Sequence, residues 1–498
     1  MNNAKKLVAL LLLLCIALPL VVACGKTPVD TKESGDTSDA ATDEAEDITK
    51  KLEVPEDVTF DGHEFTFFVG TNVTTCPHIF EALDNDNPVD AAICARNLRV
   101  EDEYDVTITE KWVQKDNVSG YGAAYTEISK AVDAGDMLYD AAVASTYDCG
   151  TLSQNGYIVD LRNFGYVNLS KAWWDQAANK QLTIYDRTYF TAGDISYIDD
   201  NFTYAITFNK DLALQYQLED LYQVVGDGKW TYDKLYSISK QVSVQDTVTG
   251  YSEGDMYGFL GYNDTTWMSF SSIGATVASI NDEGALALTL YSDKNFNLIT
   301  KWTEFGQSEA FVNWQMDAAA KSATWKKVYS DNKALFFGAT IDGIYKLRDT
   351  EVNYGFLPWP KYDEDQSAYH SGMSPNHISL FCIPKYGEAD EKDIERTSIL
   401  VEVLAHGSSE VIKGFYEKNL QGKSVRDEES YETLDLIFAD KVFDQGFYYN
   451  VGKYRGTMST KFKTGDTTFA SFYAEMEEVA KAELEKINKL YRGLLDNQ

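Results

Sequence analysis

Three short apolar runs separated by two helix-like stretches constrain this chain more than any other feature. The runs are Phe65-Thr66-Phe67-Phe68-Val69, Val106-Thr107-Ile108-Thr109 and Asp140-Ala141-Ala142-Val143-Ala144. Between them lie Asn87 to Tyr104, with Pro88 in its first turn, and Thr126 to Ala134, ending at Gly135. A helix placed between two strands carries the chain back to the same end, so the strands lie parallel. The third run is apolar without alternation, the pattern of a strand covered on both faces. Another helix-like stretch, Thr146 to Asn155, follows it. An α/β fold with a mainly parallel sheet flanked by helices is the expectation.

The remainder continues in the same vein. Thr203 to Phe208 reads as a strand running into Asn209-Lys210-Asp211-Leu212. Thr231 is placed to cap a helix whose apolar face carries Leu235, Ile238 and Val242. Asn281 to Gly284 is a turn before Leu286 to Leu290, and helices are expected over about 293–310 and 315–330. Strands return at Ala334 to Gly338, Tyr354 to Leu357 and Ile378 to Ile383. The last hundred residues are mostly helical, ending in a helix with Phe472, Met476, Ala480, Leu484, Ile487 and Tyr491 on one stripe and Gly493 at its end. No repeat of fixed period occurs.

The N-terminus is an address. Lys5 and Lys6 precede an apolar run from Leu7 to Leu20, shorter than the roughly 20 residues of a membrane-spanning helix. Val21-Val22-Ala23-Cys24 follows, which resembles the lipobox of bacterial lipoproteins. That resemblance implies a signal peptide over 1–23, cleavage before Cys24, and a diacylglyceryl lipid on its sulfur. Residues 24–57 are mostly Asp, Glu, Ser, Thr, Ala and Lys, too polar to bury a core, and read as a disordered acidic tether. About 30 flexible residues span on the order of 30 Å. The expected location is the extracellular face of the cytoplasmic membrane.

Charge and cysteines narrow the partners. A formal net charge of −34 over 498 residues argues against nucleic acid and against adhesion to anionic lipid. Of the six cysteines, Cys15 leaves with the signal; Cys76, Cys94, Cys149 and Cys382 are widely spaced, with no zinc-type pattern. Cys382, inside an apolar strand, reads as a small core residue. Whether Cys76 and Cys94 pair is open. No GxSxG, P-loop, GxGxxG or HExxH occurs, and His63, His78, His370, His377 and His406 never fall four apart. No enzyme activity, no cofactor and no metal are expected. A monomer is expected.

Four ordered stretches then resemble the extracellular solute-binding proteins of ABC transporters, sugar-binding type (family 1). They are Tyr139 to Ala144 leading to Asn155-Gly156-Tyr157-Ile158-Val159-Asp160-Leu161; Tyr204 to Leu212 followed by Trp230-Thr231-Tyr232-Asp233-Lys234-Leu235; Met256-Tyr257-Gly258-Phe259 with Trp267 downstream; and Asn353 to Lys361 followed by a strand ending Ile383-Pro384. The resemblance implies a two-lobed periplasmic-binding-protein-like fold (type II), the lobes joined by crossover hinge segments near 193–200, 338–343 and 372–378. Lobe 1 would combine 58–195 with 340–375, and lobe 2 would combine 197–337 with 378–498. It also implies a carbohydrate ligand, mono- or oligosaccharide, taken in the cleft and delivered to ABC permease subunits. A surface glycan-degrading enzyme, or a receptor for peptide or polyamine, are the alternatives.

Candidate ligand residues follow from strand ends and crossovers. Asn72 follows the first strand, and Thr146, Tyr147 and Asp148 follow the third, at the edge where α/β sites form. Tyr197, Asp199 and Asp200, with Asp194, surround the first crossover; Asp342 lies at the second; Ser371, Gly372 and Met373 occupy the third. The resemblance, which implies an aromatic after Tyr257-Gly258-Phe259, makes Trp267 a stacking candidate, and Trp359 between two prolines is another, although a tryptophan packs a core as readily as it stacks on a sugar. One ring of Trp173-Trp174 is expected to pack and the other to be free for the cleft. Paired acids such as Asp199-Asp200 suit a glycosidase, but pairs are common in so acidic a chain.

Overall fold

A computed structural model describes residues 48–498 except 72–78, 83–86, 115–121, 246–251, 253, 317–323, 388, 417–427 and 497–498. The signal peptide, Cys24, Asn72, Cys76 and His78 therefore lie outside the described residues. The first three runs are the strands β1 (His63–Thr71), β2 (Val106–Gln114) and β3 (Ala141–Ser145), with β1 parallel to both others. Their crossovers are the helices Pro88–Tyr104 and Ala123–Ala134. Asn87 caps the first by accepting from the Val89 N–H at 3.0 Å, with Pro88 locked into the first turn. Gly135 ends the second in the left-handed region at φ 71°, where a side chain would be strained. The sheet is covered on both faces: Phe65, Phe67, Val69, Ala141 and Val143 enter one core cluster, Phe68, Ala142 and Ala144 another.

The second sheet collects β4 (Tyr204–Asn209), β5 (Tyr257–Gly261), β8 (Phe311–Asn313), β9 (Ala334–Thr340) and β10 (Tyr354–Leu357) in the order β10-β4-β9-β5-β8. Two of its pairings are parallel and two antiparallel, so this sheet is mixed rather than mainly parallel. A hairpin of β6 (Ala278–Ile280) and β7 (Leu286–Leu288) closes on the Asn281–Gly284 turn. β11 (Ser371–Gly372) pairs in parallel with β13 (Lys441–Val442), and β12 (Ser379–Cys382) pairs antiparallel with β3.

Those pairings correct three expectations. Residues 340–375 carry β10, which is zipped to β4 in the second sheet, whereas 378 onward carries β12, zipped to β3 in the first. Residues 340–375 and the first part of 378–498, through His406, thus join the opposite sheets to those expected. The chain does not cross at 338–343 either: β9 runs straight into the Ile341–Tyr345 helix, whose Ile341 and Ile344 pack in the second sheet's core. It crosses beside Thr203, where Thr203 and Met373 form an antiparallel bridge and the Ser374 N–H donates to the Phe202 carbonyl at 3.0 Å. After β12 the Glu391–His406 helix stays with the first sheet, Ser409–Lys413 packs on the Pro88–Tyr104 helix, and the helix Glu428–Ala439 docks on β10.

Two smaller differences concern ends. The final residues of the expected tether are ordered: Thr49 accepts from the Ala172 N–H at 3.0 Å, Glu53 pairs with the buried Lys171 at 2.9 Å, and Leu52 and Val54 pack on the first core. The helix expected over about 293–310 ends at Gly306, Phe311–Asn313 between the two expected helices extends the second sheet, and of the expected helix over 315–330 the described part is helical only at Trp325–Ser330. The closing helix, Phe469–Asp496, runs past Gly493 and buries Ala480, Leu484, Ile487 and Tyr491. Among the described residues no helix is long and apolar enough to cross a membrane.

Candidate functional site

The carboxyl ends of β3 and β5, one in each sheet, converge on a single group of side chains. After β3 the chain enters the Thr146–Gln154 helix, capped by Ser145. Thr146 Oγ1 donates to the Pro375 carbonyl at 3.0 Å, and the Tyr147 hydroxyl donates to Asn376 Oδ1 at 3.1 Å. Both acceptors belong to the 373–378 crossover. Asn376 Nδ2 in turn faces Asp264 Oδ2 at 3.5 Å, at the start of the Thr265–Ser272 helix that follows β5. Asp264 is partly exposed, yet burial pushes its carboxyl up to about 7, the Asn376 amide only partly offsetting this. On the same edge Tyr262 packs against Trp314, their rings 5.9 Å apart, and the buried Trp314 Nε1 donor finds no partner among the described residues.

Arg455 sits across this gap. Its guanidinium lies 4.1 Å over the Tyr147 ring and 5.8 Å from the Trp267 ring, so it is held between aromatic side chains that follow the two sheets. Its backbone carbonyl accepts from Trp267 Nε1 at 3.0 Å. The residue is only 8% exposed, and burial brings its guanidinium down to about 10.

Tyr147 and Trp267 are thereby brought together, with Thr146 beside them. The other sequence candidates fall elsewhere. Asp148 turns away and clamps the start of the Ala123–Ala134 helix, accepting from the Gly122 and Ala124 N–H groups at 2.7 and 3.1 Å. Tyr197 stacks on Phe415. Asp199 and Asp200 close on Lys441 Nζ at 2.7 and 2.5 Å, with Asp175 at 3.3 Å. Burial and the neighbouring acids push Asp194 up to about 7; Asp199 also rises to about 7, burial outweighing the Lys441 charge. Asp342 pairs with Lys346 at 2.6 Å, one turn along its own helix. Trp359 is fully buried against Phe259 and Trp302. Ser371, Gly372 and Met373 are buried in the crossover strand and its bridge. Both Trp173 and Trp174 pack, their indole N–H groups donating to Glu402 at 3.0 and 2.8 Å, so neither ring is left for the cleft.

Asp264, Asn376 and Arg455 were not singled out from the sequence. Asp264 follows a strand just as Thr146 does, so the same rule would have found it. Arg455 had a subtler signal: Val451 to Thr464 contains Lys453, Arg455, Lys461 and Lys463 and no acid, a basic island in an acidic chain. A separate cavity of about 640 Å³ lies at the opposite end of the first sheet, between Asp140, Arg187, Ile383 and Arg396, and contains none of the expected residues. Among the described residues no group of three or more His, Cys, Asp or Glu could hold a metal ion.

No protein-family model and no curated protein matches the chain. Solved structures do. A cyclo/maltodextrin-binding protein complexed with maltotetraose superposes with a TM-score of 0.57 at 14% identity, over 85% of this chain and 98% of that one. An ABC substrate-binding protein from Listeria monocytogenes in complex with cycloalternan gives 0.53 at 14% identity, over 86% and 99%. The maltose-binding periplasmic protein MalE of the same organism, in complex with maltose, gives 0.53 at 16% identity, over 86% and 99%. At such identities the likeness concerns the fold, and the chain has the two-lobed, type II periplasmic-binding-protein fold seen in these sugar-binding ABC solute-binding proteins.

Proposed function

We propose that this chain is a carbohydrate receptor of an ABC importer, held at the outer face of the membrane by a lipid on Cys24 and delivering its ligand to the permease. The observation that carries the binding reading is the Tyr147–Arg455–Trp267 stack at facing strand ends. Aromatic faces suit the apolar side of a sugar ring, and the Asn376 amide, the Asp264 carboxyl and the unpartnered Trp314 donor suit hydroxyls. The fold supports this, because the structurally similar proteins are sugar-binding receptors. The glycosidase alternative is weakened by the fate of Asp199 and Asp200, whose carboxylates are engaged by Lys441.

Thermal shift of the purified protein against a saccharide panel tests the binding reading. A ligand that binds only the folded state raises stability by RT ln(1 + [L]/Kd), about 2.7 kcal/mol at a hundredfold excess over Kd. No shift with any saccharide would remove the reading, and turnover to shorter products would replace it with the enzyme. Cys24→Ser should move the protein from the membrane to the medium and abolish palmitate labelling. Retention of the variant at the membrane would overturn the anchor.

A further inference from the structure

Arg455 meets no counter-charge among the described residues. The residue is more than nine-tenths buried, yet Nε and Nη1 reach no acceptor, and it forms no ion pair among the described residues. Burial alone displaces its ionisation; no neighbouring carboxylate contributes. The nearby Asp264 engages Asn376 instead. A buried guanidinium carries a large desolvation cost unless an anion pairs with it. Arginine stays charged under all ordinary conditions, so the cost cannot be relieved by losing the proton.

Compare the buried cation at the crossover. Lys441 is equally buried but is ringed by Asp175, Asp199 and Asp200. Arg96, buried and likewise without an ion pair among the described residues, has its guanidinium N–H groups taken by Asn97 and Ser408, whereas Arg455 has neither acid nor neutral acceptor at Nε and Nη1. The bare cation is also the one wedged between rings that follow the two different sheets, at the strand ends where ligands sit in α/β folds. The ring contacts leave Nε and Nη1 without acceptors, and two such N–H donors on one guanidinium are what a planar carboxylate pairs with.

We propose that the ligand is an acidic carbohydrate, a saccharide carrying a carboxylate, and that Arg455 is the residue that selects it. The inference rests on the carbohydrate reading of the cleft. The carboxylate supplies the charge that Arg455 lacks, while Asn376, Asp264 and Trp314 meet neutral hydroxyls. The strongly negative surface does not prevent this, because exposed charges beyond about 8 Å are largely screened at physiological salt, whereas the seat itself is dry.

Isothermal titration of the purified protein decides the matter. The probes are trigalacturonate, a mannuronate trimer and a hyaluronan tetrasaccharide, the methyl ester of trigalacturonate, and the neutral trimers maltotriose, cellotriose and xylotriose. At least one acidic probe should bind, and removing its charge, by esterification or by a matched neutral trimer, should weaken binding at least about thirty-fold, the usual scale for unpairing a buried charge. Arg455→Gln should lose acid binding by a similar factor, and Arg455→Lys should recover part of it. The ligand-free melting temperature of Arg455→Gln should stay level or rise, because an unpaired buried charge has gone; a merely structural arginine would lower it. Neutral probes binding as tightly as acidic ones, or acid preference surviving both substitutions, would overturn the inference and leave the carbohydrate reading intact. Binding of no saccharide of either kind would remove both.

Discussion

At the scale of single residues Tyr147 and Trp267 are as buried as the packed Trp173, at 2, 5 and 4% exposure, and differ in holding the Arg455 guanidinium against their rings. Tyr147 does two things at once: its ring lies under Arg455 and its hydroxyl holds Asn376 at 3.1 Å. Paired substitutions take these apart. Tyr147→Phe keeps the ring and loses one hydrogen bond, and should cost about 1 kcal/mol of ligand affinity or less. Tyr147→Ala removes the platform and should cost about 1–3 kcal/mol, the scale of ring stacking on a planar ligand. Titration of both variants with the same saccharide checks this; equal losses would mean the ring carries nothing. Much of this group was readable in advance, because a residue just after a buried strand of a parallel sheet faces the ligand edge whatever its partners are. Thr146 and Tyr147 were singled out by that rule, Trp267 by the resemblance to sugar-binding proteins, and Asp264, three residues past β5, by neither. The rule fails for Asp148, one position past Tyr147, since the helix it enters turns its carboxylate onto backbone N–H groups. Arg455 lies 188 residues beyond Trp267, and no local pattern reports that its backbone will receive that indole N–H.

Among the elements, the two-residue pair β11–β13 has an importance out of proportion to its length, because its register lays Lys441 against the crossover carboxylates Asp199 and Asp200. Lys441→Met would leave Asp175, Asp199 and Asp200 facing one another without a cation. Breaking a buried ion pair by removing one partner typically costs about 3–5 kcal/mol, and urea denaturation at pH 8 should show a loss of that size. The loss should shrink near pH 5.5, where Asp194 and Asp199, already pushed up to about 7, take up protons and cease to repel. A loss independent of pH would remove the electrostatic account. Gly372 shows how tight the same strand is: a Cβ there would stand 2.5 Å from Ser271 Cβ and 3.3 Å from the Tyr204 ring. Gly372→Ala should therefore destabilise by about 1–3 kcal/mol through overpacking, read from the same denaturation curves. The identities of the longer elements were legible in the sequence, since β1 to β3 and their crossover helices carry caps and apolar periods of their own. Their partners were not. Nothing inside Ser379–Cys382 or Tyr354–Leu357 says which sheet each joins; both are short, apolar and buried on two faces. The choice is made by antiparallel pairing with β3 and β4, which lie well over a hundred residues earlier, and by a chain that crosses beside Thr203.

The whole molecule carries a consequence of its charge that no single element shows. Five carboxyls, Asp194, Asp199, Asp264, Glu402 and Asp444, are raised to about 7 in the folded protein, burial being the largest cause for each, although three N–H donors reach Asp444 and the indoles of Trp173 and Trp174 reach Glu402. Unfolded, such groups ionise near their ordinary values of about 4. Between about pH 4 and 7 the folded chain therefore holds protons that the unfolded chain has released, and stability falls as pH rises through that window. Each fully developed difference is worth up to about 1.4 kcal/mol per pH unit. His406 works the other way, because burial lowers it and the unfolded chain protonates it more readily below about pH 6.5. It is one group against five. Acids held below their ordinary range by surface lysines, such as Glu53 and Glu477, are ionised in both states above about pH 5.5 and leave the window unchanged. Self-repulsion among 78 acids also grows on the alkaline side. The ligand-free protein should accordingly melt higher at pH 5.5 than at pH 8, the reverse of a protein stabilised by buried carboxylate ion pairs. Glu402→Gln tests the origin: it keeps one acceptor for the indole N–H groups and removes the ionisation, so it should flatten part of the pH dependence and raise the melting temperature at pH 8 more than at pH 5.5. A melting temperature that climbs from pH 5.5 to 8 would show that these carboxyls ionise freely and that the interior around them is wetter than their surroundings imply.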